Sequence, residues 1–122
     1  MANSFFQFKH FTIHQDKCAM KVTTDGCLFG AWVAASLKNI EIKNTILDIG
    51  AGTGLLSLMM AQKNKLSKIT AVEIQEDDYN QCVENIEESI YADTISVVHT
   101  DIQKLDYKKK YDIIVSNTPF YQ

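Results

Sequence analysis

The chain has 122 residues, 46% of them apolar and 10% aromatic, which suits the core of one domain or of part of one. Its net charge is −3 and all twelve basic residues are lysines; without arginine, tight nucleic-acid binding by this segment alone is disfavoured, because arginine supplies the bidentate phosphate and base contacts. No apolar run reaches the length of a membrane span, and "MANSFFQFKH" lacks the basic start and long apolar stretch of a secretory signal, so a cytoplasmic protein with no membrane partner is expected.

The first fifteen residues are aromatic and β-prone, with Phe5, Gln7, Lys9, Phe11 and Ile13 on one side of an extended chain and Phe6, Phe8 and His10 on the other. That pattern predicts a short hairpin or arm packed on the body. His10 and His14 stand four apart, a spacing that can hold a metal, but no acidic or thiol group lies beside them in sequence and no metal site is expected. Cys18, Cys27 and Cys82 are widely spaced and form no CxxC, which reads as buried reduced thiols. Next, "TTDGCLFGAWVAASL" predicts a helix capped by Thr24 or Asp25 and carrying Leu28, Trp32 and Ala35 with their apolar neighbours. Its glycines, Gly26 and Gly30, weaken the helix and permit a close approach near its start.

From Thr45 onward strand and helix alternate. "TILDI", "KITAVEI", "TISVVH" and "YDIIVS" read as four strands; "GLLSLMMAQK" is a helix, and Tyr79, Cys82, Val83, Ile86 and Ile90 give the next helix its apolar stripe. Short apolar strands separated by such helices predict a parallel sheet covered on both faces, a doubly wound α/β fold or the front part of one. "KKK" at 108–110 reads as a solvated turn before the last strand.

"LDIGAGTG" at 47–54 joins the first of these strands to its helix, with Gly50, Gly52 and Gly54 alternating. Glycines there let the backbone turn sharply and approach a ligand that a Cβ would exclude, and the helix start offers free N–H groups. A dinucleotide fingerprint would need glycine at 55, where this chain has Leu55. The G-x-G-x-G form after Asp48 resembles instead that of the S-adenosylmethionine-dependent methyltransferases. The resemblance implies a Rossmann-like class I methyltransferase fold and S-adenosylmethionine as cofactor. Glu73, in "AVEI", stands 25 residues after Asp48, where a carboxylate can accept both ribose hydroxyls of a nucleoside. Asp101, in "HTDIQ", follows the third strand, a location from which these enzymes bond the adenine amino group of the cofactor. All three acids stand at strand C-terminal ends, the edge at which open α/β sheets bind ligands.

After the fourth strand the family has Asn or Asp, then Pro-Pro, then an aromatic; here Asn117, Thr118, Pro119 and Phe120 correspond, with Thr118 departing from the first proline. The chemistry accounts for the residue types. An exocyclic adenine amine is a weak nucleophile because its lone pair is delocalised, and an Asn oxygen with a neighbouring backbone carbonyl can accept its two N–H bonds and hold it in line. Phe120 would stack on the base, and Pro119 would fix the turn that aims the Thr118 carbonyl. The segment "FQFKHFTIHQDKCAMKVTTDGCLFGAWV" at 6–33 is similar to the start of the bacterial tRNA(Val) adenine-N6 methyltransferases, and the likeness runs over nearly the whole chain. It implies that residues 1–44 form an arm and cofactor-covering helix, with Lys21, Thr24, Asp25 and Gly26 in a lid, and that residues 45–122 form the front half of the cofactor-binding domain. Thr23 departs from the glycine that the family often has. The resemblance also implies further strands after the fourth, hence a form truncated after strand 4. The tRNA would then be bound through the complete enzyme, and the exposed fourth strand would be open to dimer pairing. Two alternatives stay open: a protein glutamine-N5 methyltransferase using the same turn, and a non-catalytic cofactor-binding fragment.

Overall fold

The computed structural model describes residues 5–8, 10–17, 24–37, 44–105 and 109–116. At its start, β1 (Phe5–Gln7) pairs antiparallel with β2 (Thr12–His14), Phe6 opposite Ile13. The predicted hairpin is there, but its faces divide differently. Phe11 and Ile13 are buried while Phe5 and Gln7 are exposed, because β2 rests on a helix of the body and β1 is the outer strand. Phe8 stacks on Phe11 with ring centroids 5.1 Å apart, closing the hairpin bend.

The first helix, α1 (Thr24–Leu37), runs through both glycines. Its buried side is Gly30, Val33 and Ala34, whereas Leu28 and Trp32 are 64% and 69% exposed and Ala35 is exposed too. The helix is there as expected, but its buried face is formed by the small neighbours of Leu28, Trp32 and Ala35. Both sets recur at helical spacing, so periodicity alone does not choose between them. Packing does: the Met59 side chain of the neighbouring helix α2 (Leu55–Lys63) lies against Gly30, where a Cβ would force its sulfur to move. Small residues let α1 and α2 approach closely, and the larger side chains face away.

Four parallel strands, β3 (Thr45–Ile49), β4 (Lys68–Glu73), β5 (Ile95–His99) and β6 (Ile113–Ser116), form one sheet in the order β5-β4-β3-β6. Read as the third, second, first and fourth strands of the unit, this is a Rossmann-like α/β arrangement, with β3 at the point where the order reverses. Alternate strand residues Ile46, Ile69, Ala71 and Ile95 join one core with Leu56, Leu58 and Met60 of α2 and Val33 of α1. Cys82 and Ile86 add the third helix, α3 (Glu76–Glu87), to the same core. On the opposite face a cleft of about 480 Å³ lies between Leu47, Ile49 and Ile114 of the sheet and Ile102, Leu105 and Tyr111 of the chain leading into β6. Among the described residues β6 is an edge strand, with Ile114 61% exposed.

In α3 the expected apolar stripe is only half of the buried surface. Cys82 and Ile86 are buried, Tyr79 and Val83 are partly so, and Ile90 lies beyond the helix and is 80% exposed. The remaining buried positions are polar: Asp78, Gln81 and Asn85. Asn85, with no exposed surface, accepts from the His14 N–H (2.8 Å) and donates to the carbonyls of His14 (2.9 Å) and Thr53 (2.8 Å). One amide thus ties the N-terminal hairpin, the chain entering α2, and α3 together. Truncation would leave a buried donor and two acceptors unpaired. Asn85→Ala is expected to lower unfolding stability by about 3 kcal/mol in urea titrations and to speed amide exchange at His14; a loss below about 1 kcal/mol would mean that the clamp is not a principal support.

Candidate functional site

The turn between β3 and α2 has the conformation that only its glycines allow. Gly50, Gly52 and Gly54 have φ of 71°, 56° and 89°, all in the left-handed region. The Gly50 and Ala51 N–H groups both donate to the Val72 carbonyl, at 2.9 and 3.0 Å, which pins the start of the turn to β4. At Gly54 an added Cβ would come within 3.1 Å of Cys82 Sγ, so this glycine serves packing against α3. At Gly52 nothing lies within 4 Å of where a Cβ would sit. The turn is open there, and α2 begins without a side-chain cap, leaving backbone N–H donors at its start for a ligand.

Glu73 closes the turn from the end of β4. Its Oε1 accepts the Gly52 N–H at 2.9 Å and its Oε2 accepts the Gln75 N–H at 3.0 Å. Only 5% of the residue is exposed. Each carboxylate oxygen keeps a second lone pair, so these bonds fix the carboxylate without exhausting it as an acceptor for hydroxyls. Next to it Ile74 is 55% exposed, an apolar platform beside a polar acceptor. The loop behind is braced by His99, whose ring stacks on Tyr79 at 4.8 Å and whose Nε2 lies 3.0 Å from the Ile74 carbonyl.

Asp48 sits deeper, 1% exposed, with its Oδ2 accepting a 2.7 Å bond from Ser57 Oγ of α2. Burial pushes its pKa up to about 7; the Ser57 bond opposes the rise and the nearby Glu73 charge adds to it. Asp101 has a local task as well, since its Oδ1 accepts the Gln103 N–H at 2.9 Å and caps the single 3₁₀ turn Ile102–Lys104.

Of the residues expected at the site, the structure gathers Asp48, Gly50, Gly52, Gly54 and Glu73 around one turn and puts Asp101 at the end of the adjoining strand. Thr24 and Asp25 begin α1, and Gly26 is partly buried within it. Lys21, Asn117, Thr118, Pro119 and Phe120 lie outside the described residues. Cavities of about 750 and 480 Å³ occur elsewhere; neither is lined by the glycine turn, Glu73 or Asp101. Sequence reading missed Ser57, Ile74, Tyr79 and His99. A lone serine in the apolar run "LLSLMM" was a usable signal for Ser57. The helical stripe placed Tyr79 on α3, but its stack with His99 arises only from the packing of α3 beside β5, which no local pattern announces.

A model of the methyltransferase small domain matches residues 31–122. The tRNA1(Val) (adenine(37)-N6)-methyltransferase of Dyadobacter fermentans is 48% identical over 120 residues, covering 98% of this chain and 48% of that protein. The protein of the same name from Bacteroides thetaiotaomicron is 48% identical over 122 residues, covering 99% of this chain and 49% of its own length. The chain thus spans about half the length of the curated relatives it matches. Among solved structures, a SAM-dependent methyltransferase from Agrobacterium tumefaciens superposes with a TM-score of 0.75 at 16% identity, over 95% of this chain and 40% of that one, which speaks for the fold. The PRMT1 enzyme–prozyme complex of Trypanosoma brucei, solved with AdoHcy, gives 0.59 at 27% identity over 72% of this chain and 26% of that one.

Asp48 gives a pH test of the buried site. Its folded pKa lies above the unfolded value, so the chain loses stability as pH rises from about 4 to about 7 and then levels off. Ionised, the group costs on the order of 4 kcal/mol. Asp48→Asn is therefore expected to raise the unfolding temperature at pH 8 and to change it little at pH 4, as read by thermal melts across that range. Equal shifts at both pH values would show that Asp48 is not a strained carboxyl.

Proposed function

The chain belongs to the methyltransferase small domain family, and on that premise we propose that it is the cofactor-holding half of an enzyme that methylates N6 of an adenine in tRNA(Val), beside the anticodon. One observation carries the reading: the open left-handed turn at Gly52, closed by the Glu73 carboxylate, at the carboxyl edge of the sheet. These residues suit S-adenosylmethionine. The α2 N-terminus and the open turn fit its amino-acid portion, Glu73 its ribose hydroxyls, Ile74 a face of its adenine, and Asp101 the adenine amino group. Lys21, Thr24, Asp25 and Gly26 would cover it. When bound, it supplies an electrophilic methyl group on a sulfonium.

The chain's own part in the reaction falls to the turn after β6. The Asn117 side-chain oxygen and the Thr118 carbonyl accept the two N–H bonds of the adenine amine and keep its nitrogen in line. With the methyl donor bound, those oxygens would stabilise the positive charge that develops on the amine nitrogen until its surplus proton leaves to water. Phe120 would stack on the base, worth about 1–3 kcal/mol, and Pro119 would fix the backbone that aims the Thr118 carbonyl. The relatives' names support the RNA substrate, and the length ratio supports a longer enzyme that completes the site. No described helix is long and apolar enough to cross a membrane. Cytoplasmic location and tRNA as partner belong to the same proposal; pairing of two copies through the β6 edge is the alternative for this chain by itself.

The test supplies unmodified tRNA(Val) and methyl-labelled cofactor to the enzyme containing this chain. Label is expected on a single adenine, and Asn117→Ala is expected to lower turnover by at least about 100-fold with cofactor affinity unchanged. Normal turnover by that variant would overturn the catalytic assignment. Label left in protein after nuclease treatment would move the substrate to a glutamine amide.

A further inference from the structure

Away from the glycine turn, the fold brings a histidine of the hairpin against two carboxylates of the helical layer. His14 Nε2 lies 2.9 Å from Glu88 Oε2, and one ligand atom each from His14, Glu84 and Glu88 lie within 4.8 Å of one another. Glu84 and Glu88 are four residues apart at the end of α3, so both project to the same side. His14 does not drift there, because the Asn85 amide holds its backbone from both N–H and carbonyl. A groove of about 750 Å³ opens alongside, lined by Asp77, Asn80, Glu84, Glu87 and Glu88 with Lys17 as its one lysine.

We propose that His14, Glu84 and Glu88 bind a zinc-class divalent cation that fastens the N-terminal hairpin to α3. The donor set, one imidazole nitrogen and two carboxylate oxygens, suits zinc with water completing the shell and does not suit magnesium, which takes oxygens alone. Bonds of zinc length would put donor atoms about 3.3 Å apart, and the partly exposed carboxylates can rotate inward to reach that spacing. Binding through Nε2 would require the tautomer of His14 that carries its proton on Nδ1. Lys17 competes for the site: its Nζ lies 2.8 Å from Glu84 Oε2, and that bond raises the pKa of its ammonium. The exposed stem of Lys17 lets it swing away when a cation arrives. The His10/His14 spacing pointed to a metal without its partners, because Glu84 and Glu88 stand 70 and 74 residues from His14.

The test titrates the whole chain, freed of metal with EDTA, with Zn²⁺ by calorimetry, with Co²⁺ by visible absorption and with Mg²⁺ as competitor. One Zn²⁺ per chain is expected at micromolar concentration or below, with cobalt bands of low coordination number, no displacement by Mg²⁺ and a higher unfolding temperature with zinc bound. His14→Gln and Glu84→Gln/Glu88→Gln, which leave the Asn85 clamp in place, are expected to lose saturable binding while unfolding cooperatively. Lys17→Ala is expected to tighten it several-fold. Absence of saturable Zn²⁺ binding, binding that survives His14→Gln, binding abolished by alkylating the three cysteines, or displacement by equimolar Mg²⁺ would each overturn the proposal.

Discussion

The Glu73 carboxylate is the contact on which the rest of the site depends. It joins the end of β4 to the glycine turn through the Gly52 N–H and shapes the exit toward α3 through the Gln75 N–H. With the Gly50 and Ala51 N–H groups on the Val72 carbonyl, it makes the turn a fixed continuation of the sheet. A loop free to move would spend binding energy on becoming ordered; this one is shaped before any ligand arrives. The cost falls on Asp48, which the same burial and the same Glu73 charge keep from ionising easily.

A second support is polar and lies behind the turn. Asn85 reaches from α3 to the Thr53 carbonyl and to both backbone groups of His14. The hairpin is therefore attached to the domain through the element that also backs the glycine turn. The His14–Glu84–Glu88 cluster thus stands beside the Asn85 amide that also holds the Thr53 carbonyl of the glycine turn.

How much was legible follows from the range of each signal. The strands and the helices α2 and α3 were readable because apolar alternation and turn chemistry are local, and each element lies within a few residues of its expected bounds. The Rossmann-like parallel sheet and the glycine turn came with the resemblance carried by Gly50, Gly52 and Gly54, while the strand order β5-β4-β3-β6 was read from the structure. What failed was the choice of face. On α1 both Leu28-Trp32-Ala35 and Gly30-Val33-Ala34 repeat at helical spacing, and only the closeness of Met59 selects the small-residue side. On α3 the buried Gln81 and Asn85 look like surface residues in sequence, because their partners lie 32 to 71 residues away. The roles of Asn117 to Phe120 rest on the sequence motif, since those residues lie outside the described ones.

The central claim, that this chain holds a preformed site for an S-adenosyl cofactor, is tested most directly by calorimetric titration of the folded chain with S-adenosylhomocysteine. Saturable one-to-one binding is predicted, weakened at least about tenfold by Glu73→Ala, a change of about 1.4 kcal/mol, in a variant shown by thermal melting to remain folded. A folded chain that takes up no S-adenosylhomocysteine, or a Glu73→Ala variant that binds it equally well, would contradict the account.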